Sequence, residues 1–228
     1  MKTQLSTELS TLFEDADDVI HVKKNTYLFH EGDPVKELYL LKSGKIKISK
    51  LSNNGSELTL RLCSTGDLVG ELSLDDDHVP YIQNAQTLMG SKLAVISKEK
   101  LKNKLLDNSN LALQLLQAMS DYARRDQTRF RDLVMFGKKG ALYSTLIRLA
   151  NSYGQINGDR VFINMRLTDQ TLADFCGTSR ESVNRLMSEL RRAHIITTEK
   201  GYITIHDIDY LKREINCGDC PIHLCSIH

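Results

Sequence analysis

The sequence predicts an α+β chain in three parts: a small antiparallel β domain, one long helix, and a compact C-terminal domain of short helices closed by a β-hairpin. Three observations carry this. From about residue 20 to residue 98, short apolar or alternating runs are separated by turn chemistry. Residues 109–135 change to a helical period with no proline or glycine. Residues 167–205 then follow the order helix, turn, helix, hairpin.

In the first part, Leu38 to Leu41 stops at Ser43 and Gly44, and Ile46 to Ile48 stops at Asn53, Asn54 and Gly55. Leu58 to Leu62 stops at Gly66 and Asp67. Strands at this spacing form an antiparallel barrel or sandwich, here assigned to residues 1–108.

In the helix of 109–135, Leu115, Met119, Tyr122, Asp126, Arg129 and Leu133 follow one another in steps of four and three, with Leu116, Ala123, Phe130 and Val134 alongside. That apolar stripe is wider than one neighbouring domain covers, and self-pairing as a coiled coil satisfies it, which implies a homodimer. Asp126 within the stripe opposes the pairing unless its charge is compensated. Gly137 and Gly140 mark the joint after this helix, and Ala141 to Tyr153 forms another amphipathic helix that opens the next domain, residues 136–213.

Within that domain Thr168 caps a short helix through Ala173 and Phe175, and Gly177 makes the sharp turn. Thr178 then caps a second helix, with Glu181 completing a capping box. Val183, Leu186, Met187 and Leu190 form its buried face. Thr178, Ser179, Arg180, Glu181, Ser182, Asn184 and Arg185 face outward at its start, along with Glu189 further on. Arg can pair with guanine, Glu can accept from cytosine N4 and Asn can pair with adenine, so the early turns carry a set of base readers for a major groove. Ile195 to Thr198 and Tyr202 to Ile205 alternate around Glu199, Lys200 and Gly201 as a two-stranded wing. This order is a winged helix-turn-helix, and double-stranded DNA is the partner it implies.

Composition agrees. The chain has 228 residues and a formal net charge of +1. Residues 136–213 hold twelve Lys and Arg against eight Asp and Glu, a local surplus of four positive charges. That is the modest cationic surface DNA binding needs. An export signal or membrane span is not expected from the pattern, which points to the cytoplasm. A catalytic dyad or nucleotide loop is equally unexpected, which excludes an enzyme; an iron-sulfur electron carrier would make the helix-turn-helix incidental.

Five cysteines are unevenly spread. Cys63 and Cys176 are isolated, as buried small hydrophobes would be, whereas Cys217, Cys220 and Cys225 crowd the tail of residues 214–228. Thiolates in a Cys-x-x-Cys turn converge on one metal, and the third sulfur can join them. The spacing admits an iron-sulfur cluster with a fourth ligand from elsewhere. It equally admits zinc completed by His223 or His228, or a thiol redox switch.

With both halves in view, the chain resembles the CRP/FNR superfamily of bacterial regulators over nearly its whole length. The residues that carry this are Phe29 to Gly32, Leu38 to Gly44, Gly66 and Asp67, Gly70-Glu71-Leu72-Ser73-Leu74, and Thr178 to Arg185. The resemblance implies a β-roll sensor domain of the cyclic-nucleotide-binding jelly-roll type, a long dimerisation helix and a C-terminal winged helix. It also implies a symmetric dimer on a near-palindromic site, RNA polymerase as a partner, and Arg180, Glu181 and Arg185 as principal DNA contacts. Asn184 stands where oxygen-sensing members often carry Ser. Cyclic-nucleotide binders of the superfamily hold the phosphate with an Arg soon after Gly-Glu-Leu. Here Asp75 to Ala85 contains three aspartates and no Arg or Lys, so no cyclic nucleotide is expected.

The tail looks like the Bacillus-type FNR branch, in which Cys-x₂-Cys-x₄-Cys binds a 4Fe-4S cluster and an aspartate supplies the fourth ligand. That resemblance implies Cys217, Cys220 and Cys225 as metal ligands, with Asp132 as the best fourth, ahead of Asp219 and Asp126. It also implies an activator of anaerobic metabolism genes whose DNA binding depends on the cluster.

Overall fold

The computed structural model describes residues 7–53, 55–74, 79–218 and 220–227. The aspartates Asp75 to Asp77, His78, Asp219 and His228 therefore lie outside the described residues, as does Asn54 of the expected turn. The chain divides into two compact units, and the division falls inside the long helix, between Asp121 and Tyr122.

The first unit carries α1 (Thr7–Thr11), strands β1 (Asp18–Val22), β2 (Tyr27–Phe29), β3 (Glu37–Ser43), β4 (Ile46–Leu51), β5 (Glu57–Cys63), β6 (Leu68–Val69), β7 (Asn84–Thr87) and β8 (Ser91–Ser97), then α2 (Lys98–Asp107) and the start of α3 (Ser109–Tyr153). The strands form two antiparallel sheets, ordered β1-β8-β3-β6 and β2-β7-β4-β5. Successive side chains alternate across a strand, so β3 serves two cores at once. Tyr39 and Leu41 turn inward between the sheets with Phe29, Ile46, Ile48, Tyr81 and Leu93. Leu38 and Leu40 turn outward and pack with Leu12 and Phe13, Leu101 of α2, and Leu111 and Leu115 of α3. Burial on both faces explains why β3 is a continuous apolar run rather than an alternating one. Between the sheets, the Phe29 and Tyr81 rings stack with centroids 3.7 Å apart.

The helix α3 is helical through Phe136, breaks at Gly137 (φ 58°, ψ −150°) and resumes to Tyr153. The expected stripe is displaced by about one residue. Leu111 and Leu115 are consumed by the β unit's own core. The line left facing solvent is Leu113, Leu116, Ser120, Ala123, Gln127, Phe130 and Val134, at steps of three and four. Asp126 is exposed and lies off this line.

The second unit adds β9 (Gly154–Asn157), β10 (Arg160–Ile163), α4 (Asp169–Cys176), α5 (Arg180–Arg192), β11 (Ile196–Glu199), β12 (Tyr202–Ile205) and α6 (Ile208–Glu214). The wing is larger than the expected two strands: β11-β12-β10-β9 is a four-stranded sheet. Gly158 and Asp159 turn the β9–β10 hairpin between the paired Asn157 and Arg160, with Gly158 at φ 60°. At the β11–β12 tip both Lys200 and Gly201 have positive φ, as a two-residue hairpin turn whose twist matches its strands requires.

Gly44 has φ 114°, and a Cβ placed there would sit 2.1 Å from the Ser91 hydroxyl oxygen and 2.7 Å from the Ser91 Cα. Gly44→Ala therefore meets both a strained backbone and a neighbour that cannot withdraw. It is expected to destabilise the β unit by more than about 1 kcal/mol, read as a lower denaturation midpoint in urea.

Candidate nucleic-acid interface and metal centre

The helix-turn-helix is set by its caps. The hydroxyl of Thr168 accepts from the Thr171 amide at 3.0 Å and starts α4, while Gly177 ends it in the left-handed region at φ 58°. The second helix is capped by Ser179, whose hydroxyl accepts from the Ser182 amide at 3.2 Å. This corrects the expected cap at Thr178. The Thr178 hydroxyl is buried in the turn without a hydrogen-bond partner among the described residues, so α5 begins one residue later.

Val183, Leu186, Met187 and Leu190 are buried, as the sequence pattern requires. Ser179, Arg180, Glu181, Asn184 and Arg185 are exposed on the opposite face, with Thr178 and Ser182 half-buried at its edge. These side chains are not equivalent. Bonds from its own backbone amide and from Ser179, at the helix N-terminus, hold the Glu181 carboxyl below its ordinary range. Asn184 donates to Asp169 of α4 at 2.7 Å. Arg185 has no hydrogen-bond partner among the described residues and extends into solvent.

The tail returns to α3. Leu224, Cys225, Ser226 and Ile227 are buried. The turn that carries them closes through the Leu224 and Cys225 amides, both donating to the Pro221 carbonyl. Three side chains of α3 hold the tail backbone: Arg148 donates to the Leu224 carbonyl at 3.0 Å, Asn151 to the Cys225 carbonyl at 2.7 Å, and the Ser152 hydroxyl accepts from the Ile227 amide at 3.0 Å.

Asp132 lies in the same neighbourhood and is only 2% exposed. One carboxylate oxygen accepts two bonds from Arg131, at 2.9 and 2.6 Å; the other accepts from the Ser144 hydroxyl at 2.6 Å and lies 3.7 Å from the Arg148 guanidinium. Arg131 in turn lies over the Cys217–Cys220 loop, where a Cβ on Gly218 would come 3.8 Å from its Nη1. Its guanidinium is held above its ordinary range first by the Asp132 bonds and then by Cys220 and Cys217.

Burial pushes the Cys225 thiol up to about 11. Arg148 opposes the rise, and the neighbouring Cys220 and Cys217 add to it. The three tail cysteines thus share one neighbourhood with Asp132, Arg131 and Arg148. Among the described residues, no three Cys, His, Asp or Glu side chains are already posed as a finished cage for a metal ion. The donor set still fits a metal–thiolate centre: three soft sulfur donors lie beside two guanidinium cations that share one carboxylate, and Arg148 opposes the rise that burial imposes on Cys225. His223, the zinc alternative, and Asp126 are exposed.

Comparison with known proteins supports the geometry. Residues 19–108 match the cyclic nucleotide-binding domain family, and residues 140–214 match the Crp-like helix-turn-helix domain family. An anaerobic regulatory protein of Bacillus subtilis is 45% identical over 224 residues, covering 98% of this chain and 94% of that protein. The chain belongs to the CRP/FNR family of transcription regulators.

A CRP-like cAMP-activated global transcriptional regulator of Mycobacterium tuberculosis is 28% identical to this regulator, covering 82% of the chain and 83% of the relative. In fold, the regulator is similar to CooA from Carboxydothermus hydrogenoformans, solved as a mutant (TM-score 0.79, 17% identity, 94% and 97% of the two chains covered). It is also similar to the c-di-GMP responsive regulator CLP of Xanthomonas campestris (TM-score 0.75, 21% identity, 87% and 98% covered). No helix among the described residues is long and apolar enough to cross a membrane.

Sequence reasoning missed Arg131, Ser144, Arg148, Asn151 and Ser152, the side chains that hold Asp132 and the tail. A signal existed: Arg148 interrupts the apolar run Leu146-Ile147 and Leu149-Ala150, and the structure buries residues 141–150 throughout. Buried cations require partners, so an arginine there demanded an explanation.

Ser179→Ala removes a helix N-cap, whereas Thr178→Val removes only an unpartnered hydroxyl. The first is expected to cost about 1 kcal/mol and the second close to nothing, as compared in urea denaturation of the two variants.

Proposed function

We propose that this regulator senses oxygen through a 4Fe-4S cluster ligated by Cys217, Cys220 and Cys225, with Asp132 as the fourth ligand, and that it controls genes of anaerobic metabolism. The observation that carries this is the gathering of the three tail cysteines beside Arg131 and Arg148, with Asp132 between the two cations. When bound, a cluster of this kind supplies oxygen-labile chemistry. The name of the B. subtilis relative, an anaerobic regulatory protein, supports the anaerobic assignment.

The protein's own residues hold and report the bound state. Arg131 and Arg148 compensate the negative charge of thiolates. Asp132, held by Ser144 on one oxygen and by Arg131 on the other, would supply the fourth ligand. Loading would then tie the tail to the helix just before Gly137, the joint that leads into the winged helix. The signal is assigned to the tail rather than to a cyclic nucleotide, because Asp75 to Ala85 brings no Arg or Lys and the β unit's interior is filled by Phe29, Tyr39 and Tyr81.

For DNA, the reading places α5 in the major groove, with Thr178, Ser179, Arg180, Glu181, Ser182, Asn184 and Arg185 at the contact. Arg185, unencumbered and exposed, carries most of the base readout. The exposed line from Leu113 to Val134 would pair two copies into a cytoplasmic homodimer. Its recognition helices then meet successive major grooves of a near-palindromic site about 34 Å apart, in reach of RNA polymerase for activation.

The test is anaerobic purification or reconstitution, a visible spectrum, and operator binding before and after exposure to air. A brown protein that binds tightly and loses affinity in air is expected; equal affinity in both states refutes the switch, and a colourless zinc-containing protein assigns the tail to structure. Arg185→Ala should weaken operator binding about tenfold or more with the spectrum unchanged, which an electron carrier would not show.

A further inference from the structure

We infer that Arg148 is the positioning residue that makes tail docking and the helix segment before Gly137 a single cooperative element. Its guanidinium, 2% exposed, reaches three parts of the chain at once. Nη2 donates to the Thr128 hydroxyl at 2.8 Å and lies 3.7 Å from Asp132, both before the break at Gly137. Nε donates to Ser144 at 3.1 Å, after the break. Nη1 donates to the Leu224 carbonyl at 3.0 Å, in the tail, 76 residues further along the chain.

The partners are themselves linked. Ser144 passes its proton bond to Asp132, and Thr128 donates to the Arg125 carbonyl at 2.8 Å. A planar guanidinium holds its donors in one rigid fork, so it cannot follow one partner's displacement while keeping the other two. In a buried site every lost bond leaves a cation or a carbonyl unsatisfied. Displacing the tail therefore loosens the Thr128–Asp132 segment, and displacing that segment loosens the tail. Asn151 and Ser152 hydrogen-bond the tail and, among the described residues, make no side-chain hydrogen bond to the segment before Gly137, so they fasten it without coupling it.

This deepens the proposed sensing role and rests on it only for the biological use of the coupling; the coupling itself runs through the chain's own hydrogen bonds. Three conservative variants of this chain test it by amide hydrogen exchange, with no metal added. Thr128→Val removes one Arg148 partner whose hydroxyl, among the described residues, makes no hydrogen bond to the tail. The amides of Leu224, Cys225 and Ile227 should nevertheless exchange about tenfold faster. Asn151→Leu removes a tail fastening that bypasses Arg148. It should speed tail exchange while leaving residues 128–135 unchanged. Arg148→Lys, which keeps the charge but not the fork, should speed both segments together.

Unchanged tail exchange in Thr128→Val, or independent behaviour of the two segments in Arg148→Lys, overturns the inference. The same variants reconstituted anaerobically give a second readout. Operator affinity no longer sensitive to air is expected for Arg148→Lys, and retained air sensitivity contradicts the coupling. If the wild type stays colourless while the exchange pattern holds, the sensing role fails and the coupling stands.

Discussion

The C-terminal half of this molecule is organised around a buried guanidinium that has only a share in one carboxylate. Arg148 sits in the middle of a helix stretch that is otherwise closed to water, and an ion there is tolerated only if its donors are matched. Thr128, Ser144 and the Leu224 carbonyl supply the matching oxygens, and Asp132 supplies the opposite charge at 3.7 Å. Each requirement fixes something larger. The carbonyl brings the tail back across α3; the carboxylate keeps the helix before Gly137 against the helix after it.

Charge is also what makes the neighbourhood chemically suggestive. Arg131 takes up one oxygen of Asp132, leaving two guanidinium groups to one carboxylate beside three thiols. The crowding of cations extends to Arg129, whose guanidinium is drawn down to about 10 by its burial first and by Arg148 next. The positive charge therefore lies next to the sulfur donors, where Arg148 works against the burial that holds the Cys225 proton.

Much of the architecture was legible in the sequence because it follows from local periodicity. The strands β3, β4 and β5, the break at Gly137, the α4–α5 turn at Gly177 and all four buried residues of α5 were readable from spacing and turn chemistry. The failures have physical causes. Thr178 looked like a cap, but its hydroxyl points into the turn and Ser179 takes the role, a difference of one residue that composition does not encode. The helical stripe was displaced because Leu111 and Leu115 belong to the β unit's core, a tertiary claim on residues that periodicity alone assigns to the seam. The β9–β10 hairpin was overlooked although Gly158-Asp159 announces it. At the site, the cysteines and Asp132 were visible as chemistry. The clamp was not, because its contacts join residues from 4 to 76 positions apart and each partner is an unremarkable Ser, Thr or carbonyl.

The way the tail is fastened separates its structural from its chemical duties. Arg148, Asn151 and Ser152 grip backbone groups of Leu224, Cys225 and Ile227, and the side chains of Leu224 and Ile227 add apolar burial. None of these contacts uses a cysteine sulfur. The tail backbone is therefore gripped through groups other than the sulfurs, so the scaffold and the sulfur chemistry use different atoms. Burial alone would keep Cys225 a thiol, with its proton held up to about 11, until something cationic competes for the sulfur. The tail's backbone grip and the helix before Gly137 thus meet on one guanidinium, beside the joint that leads into the winged helix.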